Sequence, residues 1–541
     1  MIIPVCTLLT ETSPQALPLG AACIVAAINA HFAKFANSNS EEQKIQAKLA
    51  VFSAEDNPTP DFVAKELLAQ NPPAICFSVY VWNYKFFSDV ANIIRKVANN
   101  IFIIAGGPEI TAHPASCTEF DYVVSGEGEE QVPLLLEKLI LQKQANISRH
   151  IHGSRVAPEK LISPYLSGTL NPNDYSGGAL WELARGCPFK CAYCYESKGE
   201  KTVSHIPMNR IKAELDFFKQ KGVSQVFVLD PTYNANKQKA LELLRYIKKV
   251  APEIFFHFEC RAEFLDKELA KAFANISCSL QIGLQSSHKH VLNLVNRNFD
   301  KQDFVRKINL LNASGAIFGF DLIYGLPGDT LNGFKESLDF AISLYPNNLE
   351  IFRLSVLPGT TLYDDGEKLQ LIAQNAPPYH IQSTSTFTQR DLTKAEKLAQ
   401  ATSIFYSQGR AVSWFISLLK PLKQKPSSFF EEFSTSNAVS QKCACIKHQE
   451  IEKLQIDHIK KRYLQSNLKQ ILPAALDLIR INGAMSRAYA ENLSTELHLS
   501  YHPEDLLSLY AQDIIFFAKN AKKFSCNVKI FPGKHGPQWQ L

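Results

Sequence analysis

Residues 184–199 read ARGCPFKCAYCYESKG, and this stretch decides how the rest of the chain is to be interpreted. It places Cys187, Cys191 and Cys194 in a C-x3-C-x2-C spacing on one loop, directly after the run ALWELARG (179–186), which predicts a strand. Three thiolates on one loop can bind three irons of a 4Fe-4S cluster and leave the fourth iron without a nearby protein ligand. An open coordination position suits a catalytic centre, whereas a structural metal site closes all of its positions. A zinc site completed from elsewhere and a thiol group without metal are the alternatives. Zinc ribbons use paired C-x2-C spacings, however, and Cys443 and Cys445 stand far down the chain in C-x-C spacing.

Outward from that loop, RIKAELDFFKQKG (210–222) predicts a helix with Ile211, Leu215 and Phe218 on one face and Gly222 as its stop. SQVFVLD, IFFHFE, CSLQIGL, AIFGFDLIYGL and LEIFRLSVL then recur at helix-length intervals. With ALWELARG they make six strands, which predicts a central, partial β/α barrel over 179–366 with its functional residues at the strand C-termini. Before it, 143–178 is rich in Pro, Gly, Ser and Asn and reads as a connection. Residues 1–142 alternate short β-branched runs with amphipathic stretches, the pattern of an N-terminal doubly wound parallel sheet in an α/β fold. Its strand ends carry Ser78, the pair Gly106 and Gly107, and Gly126 with Gly128, where a ligand would need close backbone approach. Beyond Gly366 the rhythm stops, and 367–541 reads as a mostly helical C-terminal domain.

With 541 residues, three or four domains are expected at roughly 150 residues each. A hydrophobic content of 46% excludes a disordered chain, and a net charge of +5 argues neither for nor against a nucleic-acid partner, which no motif calls for. Basic runs at 420–426 and 460–462 read as solvated helix faces. No apolar stretch approaches the roughly 20 residues that cross a bilayer, so no membrane span is expected. The start lacks a signal-peptide pattern, and twelve cysteines are too sparse for a disulfide scaffold, which together point to a cytoplasmic protein.

The cysteine loop, with Tyr193 before the last cysteine, resembles that of the radical S-adenosylmethionine (SAM) enzymes. The later strand ends, VLDPTYN, FHFECRAE, LQIGLQS, DLIYGLPGD and RLSVLPGT, fit the same resemblance. It implies that Cys187, Cys191 and Cys194 ligate a 4Fe-4S cluster whose open iron chelates SAM, and that one electron splits SAM to a 5'-deoxyadenosyl radical. By family position, Tyr193, Asp230, Glu259, Arg261, Gln285 and Arg353 are expected around SAM or substrate. The usual GGE-type motif after the second strand is replaced by Asp230, Pro231 and Thr232. The stretches PQALPLGAACIVAAI, SVYVWN, IAGGPEITAHP and VVSGEGEEQV resemble the cobalamin-binding domain that precedes the barrel in one subclass. That implies cobalamin contacts at Ser78, Tyr80, Gly106, Gly107, Glu109, Gly126 and Glu127. The D-x-H-x-x-G motif is absent, so cobalamin is expected to bind without a histidine ligand; His31 and His113 read as surface or capping residues.

The resemblance implies a cobalamin-dependent radical SAM enzyme that methylates an unactivated carbon of a small-molecule or peptide substrate. Such an enzyme takes electrons from a donor such as flavodoxin or ferredoxin. A radical cyclase or rearrangement enzyme of the same subclass, a tRNA methylthiotransferase-like enzyme, and a non-catalytic cobalamin or SAM sensor are the other readings. A methylthiotransferase would carry a second cluster on its N-terminal domain, but Cys6, Cys23, Cys76 and Cys117 each lie on a predicted strand or helix among apolar neighbours.

Overall fold

A computed structural model describes residues 1–35, 44–144, 146–197, 202–435, 446–534 and 536–541. Cys443 and Cys445 lie outside them, as do the last two residues of the decisive stretch. The first parallel sheet contains β1 (Ile2–Leu9), β2 (Gln46–Ser53), β3 (Ala74–Ser78), β4 (Phe102–Gly106), β5 (Tyr122–Gly126) and β6 (His150–Gly153), in the order β2-β1-β3-β4-β5-β6. The strand order reverses between β1 and β3, the crevice where open α/β sheets bind ligands.

Period-two alternation sets the register. Ile75, Phe77, Ala105 and Val123 pack into one core with the helices 60–68 and 84–97, and Cys76, Ile104 and Val124 pack into the other with the helix Leu19–Phe32. Burying each large apolar side chain contributes about 1.5–3 kcal/mol, so a one-residue slip, which would send every one to the wrong face, is strongly disfavoured.

β6 falls within the stretch expected to be only a connection. It pairs in parallel with β5, Val123 opposite His150 through Gly126 opposite Gly153. As an edge strand it buries little, His150 and His152 being exposed, so it carries no apolar run by which the sequence would betray it.

The second sheet holds β7 (Gly178–Trp181), β10 (Gln225–Val228), β11 (Phe255–Cys260), β12 (Cys278–Gln285), β13 (Ile317–Tyr324) and β14 (Asn348–Arg353), side by side in chain order. The two-residue strands β8 (Ala184–Arg185) and β9 (Ser204–His205) form a small antiparallel ladder of their own. The chain divides into two compact units. The first is Met1–Ser279 with Ser355–Lys368 and Ile372–His380; the second is Leu280–Leu354 with Leu369–Leu371 and Ile381–Leu541.

In the first unit, the predicted helix spans Met208–Gln220 and buries Ile211, Leu215 and Phe218, together with Glu214. The Glu214 carboxylate is satisfied by Trp181 Nε1 at 2.9 Å, Arg210 Nε at 2.9 Å and Ser163 Oγ at 2.6 Å, which makes its burial tolerable. In the second unit, Phe405 is surrounded by the rings of Trp414, Phe415, Phe429, Phe430 and Phe433 at centroid distances of 5.0–5.9 Å. The C-terminal region is helical as expected, with long helices at Gln389–Thr402, His448–Gln465 and Leu472–Ala490. It also contains an antiparallel sheet of Thr495–Leu499, Cys526–Gly533 and Gly536–Gln540, whose short half-buried strands the helical reading passed over. Among the described residues no helix is long and apolar enough to cross a membrane.

Candidate functional site

A cavity of about 1280 Å³ opens within the first unit over the carboxyl ends of β1, β3, β4, β5 and β6. Small-molecule pockets occupy roughly 300–1,000 Å³, so this one suits a larger ligand. Ser78, Tyr80, Gly106, Gly107, Gly126 and Glu127 all lie on its wall. Glu109 does not line it. Its buried carboxylate accepts a hydrogen bond from the Tyr379 hydroxyl and lies 3.4 Å from His113 Nε2, at the side of the short helix Pro108–Ala112.

Two of the glycines are required by the backbone. Gly107 has φ +120°, and a Cβ there would come within 2.4 Å of the Val79 carbonyl; Gly126 has φ +78°, and a Cβ would come within 2.1 Å of the Gly153 carbonyl. Between the ends of β3 and β4, the buried Asn83 shapes the loop: its Oδ1 accepts from the Tyr80 N–H at 2.8 Å and its Nδ2 donates to the Ser78 carbonyl at 3.2 Å. Tyr80 stacks on Trp82 at 4.4 Å, and Trp82 Nε1 donates to the Leu8 carbonyl at 3.0 Å.

Histidine enters the cavity by a route the sequence reading did not anticipate. His31 is paired with Glu137 at 2.8 Å, and neither it nor His113 lines the cavity, whereas His150 and His152 on β6 do. Ser125 Oγ lies 2.8 Å from His150 Nε2 and 3.3 Å from His152 Nδ1, so one hydroxyl holds both rings.

The cysteine loop borders the same cavity, whose wall includes Gly186, Tyr195 and Glu196. Cys187 and Cys191 are buried and Cys194 is half-buried. Among the described residues no three His, Cys, Asp or Glu side chains converge as ligands of one ion. Burial raises the Cys187 thiol and pushes Cys194 up to about 11. Beside them, Arg261 Nη1 points at Cys191 Sγ at 4.0 Å while its guanidinium lies 3.8 Å over the Phe189 ring. A cation there favours an anionic cluster.

Asp230, expected near SAM, is buried and turned to the backbone. Its Oδ1 accepts from the N–H groups of Leu183 and Ala184, both at 2.9 Å, four and three residues ahead of Cys187. Burial pushes its carboxyl up to about 7, the two N–H groups pulling the other way. Asp230→Ala orphans both donors and should cost about 2–4 kcal/mol in urea unfolding, since each stranded buried group costs about 1–3 kcal/mol. Asp230→Asn keeps the accepting oxygen and should cost less than about 1 kcal/mol. Equal losses for the two variants would show that the charge, not the acceptor, is what matters.

Glu259 is exposed at the end of β11. Arg261 is ion-paired with Glu263, at 2.5 Å from Nη2 and 2.6 Å from Nε. In the second unit, Gln285 closes β12 with φ +65° and is buried, and among the described residues its Oε1 has no hydrogen-bond partner. Arg353, at the end of β14, donates from Nε and Nη2 to the Ile381 carbonyl at 2.9 and 2.6 Å.

The residue that sequence reasoning missed most completely is Arg185. Its guanidinium meets three carboxylates on the cavity wall, Glu127 at 3.1 Å, Glu129 at 2.6 Å and Glu182 at 2.8 Å. Burial raises the Glu182 carboxyl even though Arg185 opposes it. The acidic run Glu127, Glu129, Glu130 was the available signal, but its partner lies more than fifty residues away.

Two family models match the chain, the B12 binding domain over residues 9–136 and the Radical SAM superfamily over residues 181–341. The cobalamin-dependent radical SAM methyltransferase TokK of Streptomyces tokunonensis is 24% identical over 327 residues, which are 54% of this chain and 48% of TokK. The chain thus spans about half the length of the curated relatives it matches. Among solved structures, the radical SAM methyltransferase TsrM of Kitasatospora setae, with cobalamin and a [4Fe-4S] cluster bound, superposes with a TM-score of 0.54 at 14% identity, covering 70% of this chain and 78% of TsrM. The cobalamin-dependent SAM radical enzyme OxsB with aqua-cobalamin superposes with a TM-score of 0.56 at 13% identity, covering 87% of this chain and 80% of OxsB. The chain thus carries a B12 binding domain over the residues that build the strand-end cavity and, after it, a Radical SAM domain that contains the cysteine loop.

Proposed function

We propose that this chain is a cobalamin-dependent radical SAM enzyme that methylates an unactivated carbon of a small-molecule or peptide substrate. The observation that carries the reading is the bordering of a large strand-end cavity by the three-cysteine loop within one compact unit. A bound 4Fe-4S cluster supplies one-electron cleavage of SAM, and a bound cobalamin supplies methyl carriage.

In this reading Cys187, Cys191 and Cys194 ligate the cluster, and Asp230 holds the backbone that leads into their loop. Arg261 faces the cluster from the Cys191 side, and Tyr193 and Glu259 stand near SAM. Ser78, Tyr80, Gly106, Gly107, Gly126 and Glu127 contact cobalamin, with Glu109 bracing the helix behind Gly107. Gln285, whose buried Oε1 lacks a partner among the described residues, and Arg353 face SAM or substrate. We take the barrel as 179–366, following a cobalamin domain of 1–142 and a connection over 143–178, with the C-terminal domain over 367–541. The reductant is a flavodoxin or ferredoxin, and the compartment is the cytoplasm, where thiols stay reduced.

A second cluster on the N-terminal domain, as a methylthiotransferase-like enzyme would need, finds no support. Cys6 and Cys117 pack in one core of the first sheet and Cys76 in the other, on opposite faces.

The test is anaerobic incubation of cluster-loaded protein with cobalamin, SAM and a strong reductant, followed by mass spectrometry. 5'-Deoxyadenosine and S-adenosylhomocysteine together, both cobalamin-dependent, are the expected result. Deoxyadenosine alone would favour a cyclase or rearrangement enzyme; tight cobalamin binding with neither product would favour a sensor.

A further inference from the structure

The cysteine loop is held at both ends by the loops that shape the cavity. Two residues before Cys187, Arg185 reaches Glu127 and Glu129, which follow the positive-φ turn at Gly126. Directly after Cys194, the Tyr195 hydroxyl donates to the Pro108 carbonyl at 2.9 Å, next to the positive-φ turn at Gly107. Pro108, Glu127, Glu129, Arg185 and Tyr195 all line the cavity. Glu127 is tied down further by the Val156 N–H at 2.6 Å. Arg185 is paired with all three carboxylates of this group and offsets their mutual repulsion.

A ligand seated in the cavity therefore presses on both turns to which the ends of the cysteine loop are fastened. We propose that Arg185 and Tyr195 are positioning residues that couple occupancy of the strand-end cavity to the geometry of the cysteine loop, so that cobalamin and the cluster bind cooperatively. The proposal rests on the functional reading above, since it needs both cofactors to bind this chain. Neither residue touches the reacting atoms; each acts through the backbone of the loop that carries the thiolates. Coupling between two sites is reciprocal, so the factor by which the cluster tightens cobalamin is also the factor by which cobalamin tightens the cluster.

The experiment titrates hydroxocobalamin into cluster-free and cluster-loaded full-length protein under anaerobic conditions. It reads the two dissociation constants by absorbance and the reduction potential of the cluster with and without cobalamin. For the unaltered protein the expected ratio of constants is at least about 5-fold, the lower end of usual coupling. Arg185→Lys keeps a charge but cannot fork to several carboxylates, and Tyr195→Phe removes one hydroxyl and little else. Each should bring the ratio toward 1 and remove the cobalamin-dependent shift in potential, while each cofactor still binds alone.

A residue that merely held the fold would weaken both constants and leave their ratio as it was. A ratio that persists in both variants, or a ratio of 1 in the unaltered protein with both cofactors bound, overturns the coupling and leaves the functional reading standing. Failure of the unaltered protein to bind cobalamin in either state overturns the functional reading and the coupling with it.

Discussion

Cys191→Ala should reduce 5'-deoxyadenosine formation to background and strip reconstituted protein of most of its iron, while cobalamin affinity in the cluster-free protein stays within about twofold. The asymmetry follows from placement. Cys191 is buried beneath Arg261, whose Nη1 faces its sulfur at 4.0 Å, and it is not part of the cavity wall. On the proposed ligation, removing it would delete one of three thiolates and leave two to hold the cluster. The Arg261 charge would then face a methyl group in place of a thiolate, although Glu263 still balances it. Cys76→Ala is the control. Cys76 lies in the sheet core beneath helix Leu19–Phe32, where burial pushes its thiol up to about 12, and its loss should leave iron content unchanged. Normal iron content in Cys191→Ala would remove the cluster assignment altogether.

The second unit should lose stability as pH falls from about 6.5 to about 4, by about 4 kcal/mol at pH 5 relative to pH 7.5. Two histidines carry this. Burial lowers His448 to about 4, reinforced by Arg410 and Arg487, and burial lowers His458 to about 4, reinforced by Arg462 and Lys461. His448 is neutral in the fold because its Nδ1 accepts from Arg487 Nη1 at 3.1 Å. His458 packs edge-on to Phe429 at 4.8 Å and Phe433 at 5.2 Å, and among the described residues its Nε2 has no hydrogen-bond partner.

For a base whose pKa is lower folded than unfolded, the unfolded chain takes up protons first. Stability is therefore complete above the unfolded value and drains away as pH falls toward the folded one. At about 1.4 kcal/mol per unit, the roughly 1.5 units between the unfolded value and pH 5 amount to about 2 kcal/mol for each imidazole. Hydrogen exchange across 389–490 in the intact protein at the two pH values would measure it. His458→Leu, which fits the apolar surroundings, should remove about half of the loss. Equal protection at pH 5 and 7.5 would show that neither imidazole is forced to stay neutral.

Much of the fold was legible because it rests on local repetition. Period-two apolar runs marked β1 to β5 and the six strands of the second sheet, and a 3.6-residue period with a terminal glycine marked the helix at 208–220. β6 was not legible, because an edge strand buries too little to need an apolar pattern. The C-terminal sheet was missed because its strands are short and half-buried, between segments whose helical period is stronger.

The site divides along the same line. The sequence by itself determined that three thiols share one loop after a strand, and that glycines stand at successive strand ends, because both depend only on spacing along the chain. The tertiary structure alone decided the partners. Asp230 turned to the backbone before Cys187, Arg261 took Glu263, and Glu109 turned from the cavity to Tyr379. Arg185 gathered Glu127, Glu129 and Glu182, and β6 brought His150 and His152 to the cavity. The physical reason is that a buried charge must find a partner wherever packing presents one, and packing joins residues whose separation along the chain carries no information about their distance in space.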